Sequence, residues 1–272
     1  MTEALELLSI PVIRHAFLGM LIAGATLSTL GVVIVSLHLM ALRFTLMHVG
    51  LLGAAAGMSL GFSATAGAFV LVPTASVLMG TLGQRFRFTA SSMTGFFMTG
   101  SLAGAFLLLA RAGVPAMDVF GIFAGNILML TRVDVVMVGV LGAVVVLAFV
   151  VGYREIQAVL LDRDLALALG VPVEAVIAGM FLLLGAAVAI ALRLVGALLV
   201  DAIILLPGIA ALRFARGFGS ALLLSSLFGT IACVGGFVVA LQFDLPIGAS
   251  AAAVSSGLLG VSALVTRGKG RS

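Results

Sequence analysis

His48 and Asp201 are the two side chains whose type and setting suit them to handle a cation. Both lie in apolar runs, His48 in TLMHVGLLGAAAG and Asp201 in LVGALLVDAIILLPG. An imidazole nitrogen binds divalent transition metals, while a carboxylate binds the harder ions or carries a proton. Ionisable groups at membrane depth are costly and usually mark a path for ions or protons. The simpler alternatives are a helix–helix hydrogen bond for His48 and a bond to a neighbouring hydroxyl or backbone group for Asp201. His15 and His38 lie nearer the ends of apolar runs and read as interfacial. Asn126, in FAGNIL, reads as a packing residue. The sequence carries no G-x-S-x-G elbow, no H-E-x-x-H pair and no G-x-x-x-x-G-K-[ST] phosphate loop. Uphill movement through this chain would need energy supplied from outside it.

The elements that must position these residues are helices in lipid. The 272 residues are 63% hydrophobic and 9% charged, against about 45–50% and about 25% in soluble domains. The apolar runs are continuous, not alternating, which favours helices over a β-barrel. The expectation is an all-α, polytopic membrane bundle of eight to nine spans forming one transmembrane domain, 1–272. The spans are placed near 13–38, 44–61, 64–83, 88–111, 133–153, 172–192, 196–213, 219–243 and 247–266. The second and seventh are short and read as partial or broken. In the seventh, Pro207 removes an amide donor next to Gly208, which predicts a short or kinked helix that faces the centre of a dimer instead of lipid. Gly53, Gly57 and Gly61, and Gly100 with Gly104, form small-xxx-small faces that allow close helix packing. The basic balance, 14 Lys and Arg against 10 Asp and Glu, comes with no Trp and one Tyr, Tyr153. Without an aromatic stacking platform it reads as span-flanking charge, and no nucleic acid is expected. Cys233 is the lone cysteine, so no disulfide framework arises within one chain. Acidic residues stand where a signal peptide has its basic region, so the first span is expected to be retained.

Orientation follows from the basic residues. With 154–171 on the cytoplasmic side, ten of the 14 basic residues fall on that side, leaving Arg14, Arg111, Arg132 and Arg193 opposite. This puts the N-terminus outside and the C-terminus inside. The segment 112–132 then lies outside, as a partly re-entrant or interfacial helix. The segment 154–171 has an amphipathic pattern, with Ile156, Val159, Leu160, Leu167 and Leu169 against Glu155, Asp162, Arg163 and Asp164. It reads either as a helix lying on the membrane or as a docking helix for a soluble partner.

Four stretches carry a resemblance to a known family. They are His48-Val-Gly-Leu-Leu-Gly53, FAGNILMLTRVDV (123–135), LLDRDLALALGV (160–171) and LVGALLVDAIILLPGIAALRFA (194–215), with DLPIGA (244–249) as a further match. In order and spacing, from about residue 12 to 266, they resemble the permease subunits of zinc/manganese-type metal ABC importers. The resemblance implies a homodimeric or pseudo-dimeric permease. It would work with two copies of a cytoplasmic ATPase, which hydrolyses the ATP, and with an extracytoplasmic metal-binding protein. No resident cofactor is implied; a divalent metal ion, zinc or manganese first, is the cargo. It also implies that 154–171 is the ATPase-coupling region, with Asp162, Arg163, Asp164, Ala166 and Gly170 as its candidate residues. Small Ala166 and Gly170 would let the partner approach.

The chain departs from the family at one point. Relatives carry Asp four residues before the His, on the same helix face; here that position is Phe44. Asp201 stands where the family has a small residue, so either it replaces the missing carboxylate or the cargo differs. The reading from a different class is a proton-driven secondary transporter with Asp201 as the proton carrier. An ATPase that co-purifies with the chain is the outcome expected of the ABC reading. A chain that moves its cargo with no such partner would favour the proton-driven one.

Overall fold

The computed structural model describes residues 9–86, 90–113, 130–196 and 200–267. All regular elements among them are helical: α1 Pro11–Thr26, α2 Thr29–Ser36, α3 Met40–Ser59, α4 Ala64–Phe86, α5 Ala90–Ala112, α6 Arg132–Val151, α7 Tyr153–Leu161, α8 Arg163–Ala168, α9 Val173–Val195, a π-helical turn Asp201–Leu205, α10 Leu206–Leu212, α11 Phe218–Phe243 and α12 Ile247–Arg267. Seven helices are long and apolar enough to cross a membrane, or eight if the bent pair α1–α2 counts as one span. The shorter apolar stretch Asp201–Leu212 accounts for the remaining expected segment. Residues 114–129, with Asn126 and most of the expected outer segment, fall outside the described residues.

Two compact units form, Met1–Val35, Gly125–Leu147 and Leu194–Ser272 in the first and Ser36–Ala124 and Ala148–Arg193 in the second. Two helices of the first unit are broken, for different reasons. The first span bends by 41° between α1 and α2. There the Thr26 and Ser28 hydroxyls donate back to the carbonyls of Ile22 (2.7 Å) and Gly24 (2.6 Å). Such back-bonding competes with the helical ladder and bends it. The expectation placed a partial span at 44–61 instead; α3 there is a full 20 residues, and the break falls one span earlier. Runs of apolar residues conceal such a bend because the hydroxyls that cause it cost little hydropathy.

The second break is the expected one. The Leu206 N–H bonds the Asp201 carbonyl, an i−5 spacing that makes the turn a π-helix. In that register Pro207, lacking an N–H, leaves the Ala202 carbonyl without its backbone donor. The Ser255 hydroxyl of α12 supplies one at 2.8 Å. Pro207 and Gly208 are buried within the unit, not turned outward. Gly208 lies so close to α2 that an added Cβ would stand 2.6 Å from the Gly31 carbonyl carbon. The long helix α11 joins the unit together: Ser225 and Ser226 donate to the Ser28 and Ala25 carbonyls, each at 2.6 Å. Phe17 stacks edge-to-face on Phe237, and Gly236 meets the backbone of Ala251.

In the second unit α3 is the central helix. Gly53 and Gly57 abut α4, where an added Cβ would lie 2.7 Å from the Gly67 carbonyl oxygen and 2.6 Å from that of Ser63. Gly61 does not extend this face. It follows the helix end with φ +80°, and the Gly61 and Phe62 amides return to the Met58 and Gly57 carbonyls. That is a Schellman cap, which a left-handed glycine permits. Likewise Gly104 packs on Leu52, while Gly100 has open space beside it. The Ser76 hydroxyl of α4 donates to the Phe181 carbonyl of α9 at 2.6 Å. The prediction from this packing concerns the proline break. Ser255→Ala should lower the thermal stability of the detergent-solubilised protein by about 1–2 kcal/mol, while Ser256→Ala, at an exposed neighbouring position, should leave it unchanged. Equal melting curves for the two variants would reject the proposed repair of the Ala202 carbonyl.

Candidate functional site

The candidate ligand His48 is set by α3. Twelve of the helix's 20 residues are buried; what stays open is Met40, Ala41 and Phe44, then His48, Leu52 and Ala56, half-buried along the same side, and Met58 and Ser59 at the helix end. His48 Nδ1 lies 2.9 Å from the Phe44 carbonyl oxygen. A carbonyl can only accept, so Nδ1 carries the proton and Nε2 of the neutral ring keeps its lone pair for a cation. The Phe44 ring sits edge-to-face on the imidazole, with centroids 4.8 Å apart. Phe44, where the resemblance implies a carboxylate, therefore packs against the histidine and offers no ligand. Next to it Arg43, expected as a loose flanking charge, is buried.

Asp201 opens the π turn, half-buried, with Oδ1 closed off from solvent. π turns inserted in helices occur frequently at functional sites. His48 belongs to the second unit and Asp201 to the first. Among the described residues no three His, Cys, Asp or Glu side chains gather as a metal-binding group.

The segment 154–171 resolves into α7 and α8. In α7 Ile156 and Val159 are buried and Glu155 is exposed, as the amphipathic pattern predicts, but Leu167 and Leu169, expected on the apolar face, are exposed alongside the charges, because the chain turns at Asp162 and starts a new helix. Asp162 has a specific local role: its Oδ1 accepts from the amides of Asp164 (2.9 Å) and Leu165 (3.0 Å), capping α8. At the other end Gly170, at φ +79°, lets its own amide reach the Leu167 carbonyl and that of Val171 reach Ala166, both at 3.0 Å. This second Schellman cap stops the helix before Pro172. Arg163 and Asp164 point outward with Leu165 (58% exposed) and Leu169 (69%). Ala166 is 0% exposed and faces the chain's own interior. Its small size serves internal packing, and of the two small residues only Gly170 is open to the outside.

Sequence reasoning missed two polar positions. One is Ser255, already described. The other is Asp134, whose Oδ2 accepts from the Thr131 amide (2.9 Å) and hydroxyl (2.8 Å), while the Thr131 hydroxyl accepts from the Asp134 amide at 3.3 Å. This reciprocal capping box starts α6. Its signal was readable as Thr131-x-x-Asp134 before an apolar run.

With this geometry in hand, comparison with known proteins places the chain. It is 26% identical to the manganese transport system membrane protein MntC of Halalkalibacterium halodurans, over 94% of this chain and 88% of that one. It is 23% identical to the high-affinity zinc uptake system membrane protein ZnuB of Haemophilus influenzae, over 89% of this chain and 94% of that one. Its fold matches that of PsaBC from Streptococcus pneumoniae, solved in complex with Fab, with a TM-score of 0.82 and 24% identity, covering 96% of this chain and 94% of that chain. The profile of the ABC 3 transport family matches residues 9–266, and this polytopic helical membrane chain belongs to that family.

Proposed function

We propose that the chain is the membrane permease subunit of an ATP-driven importer of divalent transition-metal ions, zinc, manganese or iron. In this reading the 272 residues act as one permease domain, and two copies pair around a shared path in a bacterial or archaeal cell membrane. An ABC ATPase docks on the cytoplasmic side, and a metal-binding protein delivers cargo from the other. His48 and Asp201 contact the ion in transit. The metal cargo is supported by the family and by relatives named for manganese, zinc and chelated iron.

The observation that carries the reading is α8. A six-residue helix is too short to hold its shape unaided, yet this one is capped at both ends by Asp162 and Gly170. It presents charge and leucine together outward. A short capped surface of mixed charge and leucine, on the side that the basic residues mark as cytoplasmic, suits a soluble partner.

Two outcomes are expected. Replacing both Leu165 and Leu169 with Ala should abolish co-purification of the ATPase while leaving membrane levels unchanged. Full ATPase recovery and full uptake would remove the docking reading. Gly170→Trp is a poorer probe, because its φ of +79° would strain any side chain and unravel the cap. Second, His48→Ala and Asp201→Ala should each lower metal uptake on the order of tenfold or more. Unchanged uptake in both would exclude them from the path.

A further inference from the structure

The two units carry different charge on the side that the basic residues mark as cytoplasmic. In the second unit Arg43, Arg85, Arg87, Arg154 and Arg163 are interspersed with Glu155, Asp162, Asp164 and Glu174. In the first unit that side has Arg213, Arg216, Arg267, Lys269 and Arg271, and no acidic residue stands in 206–220 or 259–272. Mixed charge suits a protein partner. Basic charge alone, at the ends of membrane helices, suits the headgroup of an anionic lipid.

The fold holds two of these arginines in place. The turn between α10 and α11 is fixed by Phe214, whose ring lies edge-to-face on Phe228 with centroids 6.1 Å apart. The Arg213 guanidinium donates to the Thr266 hydroxyl at 3.4 Å, which joins this turn to the last residues of α12, where Arg267 follows. The Arg216 and Gly217 amides both donate to the Ser220 hydroxyl at 3.0 Å, so the backbone of Arg216 is pinned to the head of α11. Both arginine side chains are exposed. From Ser220 one face of α11 continues, at spacings of three and four residues, through Leu223, Leu227 and Ile231, which are 75%, 52% and 41% exposed. A phospholipid needs cationic donors for its phosphodiester oxygens and an uncovered aliphatic strip leading from them into the membrane. The head of α11 offers both in that order.

We propose that the first unit binds an anionic phospholipid here, its phosphodiester on Arg213 and Arg216 and an acyl chain along Leu223, Leu227 and Ile231. Such a site requires only the membrane bundle and is the same whichever ion the chain passes. The test is native mass spectrometry of the purified full chain in detergent, titrated with dioleoyl phosphatidylglycerol or dioleoyl phosphatidylcholine. These lipids share their acyl chains and differ in headgroup charge, and phosphatidylglycerol should be retained in preference. Arg213→Gln combined with Arg216→Gln should weaken its binding by on the order of tenfold or more. Arg154→Gln combined with Arg163→Gln removes the same charge from the second unit and should leave that binding unchanged. Inorganic phosphate at the lipid's concentration should not displace it, since phosphate makes no use of the aliphatic strip. Equal retention of the two lipids would overturn the site, as would undiminished binding in the Arg213 and Arg216 variant. An equal loss in both double variants would reduce it to diffuse positive charge, and displacement by phosphate would make it a site for free anions. Loss of ATPase co-purification in the Arg213 and Arg216 variant, with lipid binding intact, would make it a protein surface. Each of these three results also overturns the lipid assignment. None of the readouts is uptake, so failure here leaves the importer reading standing.

Discussion

Inside hydrocarbon a backbone carbonyl that loses its donor has no water to turn to. The first unit is organised around that constraint. It contains two broken helices, and at each of them hydroxyls from within the protein bond the backbone carbonyls. At the bend between α1 and α2 the hydroxyls are local, Thr26 and Ser28, and those of Ser225 and Ser226 reach across from α11 to the Ser28 and Ala25 carbonyls. At the π turn the hydroxyl is Ser255, brought by α12. The two breaks meet where Gly31 and Gly208 bring α2 and α10 to backbone contact. A side chain at either glycine would separate them. In lipid, packing at this closeness is what associates helices, since no hydrophobic force drives them together.

That arrangement gives Asp201 its position. It begins the π turn and so sits next to a backbone already freed from regular α geometry. The second unit positions its candidate ligand in the opposite way. There α3 is unbroken and enclosed by small-residue contacts with α4 and by α5, so that one side remains open or half-buried. His48 is on that side because its phase on the helix differs from that of Gly53 and Gly57, which face α4. One donor thus depends on a break in a helix and the other on the intact regularity of one. The α8 segment adds a third solution outside the spans: a single turn and a half made definite by an Asp cap at one end and a left-handed glycine at the other.

The amino-acid order by itself determined the class and the plan. Continuous apolar runs cannot be solvated, so a helical membrane bundle was the sole outcome, and each of the nine apolar segments corresponds to a helix, a bent pair or a broken helix. Pro207 announced its own break because a missing amide is a property of the residue alone. The end of α8 at Gly170 was legible for a similar reason. Contacts were not legible. Gly61 and Gly100 shared the spacing of packing glycines, but Gly61 lies past a helix end and Gly100 faces open space. Ala166 looked like a site for a partner and is covered by its own chain. The bend at Thr26 and Ser28, and the service of Ser255 to Ala202 across 53 positions of sequence, depend on which carbonyl lies within reach of which hydroxyl. Sequence states which groups can bond and where the chain cannot continue regularly. Which face of a helix is covered, and which hydroxyl meets which orphaned carbonyl, is decided only when the helices pack, because in an apolar helix nearly every face has the same hydropathy.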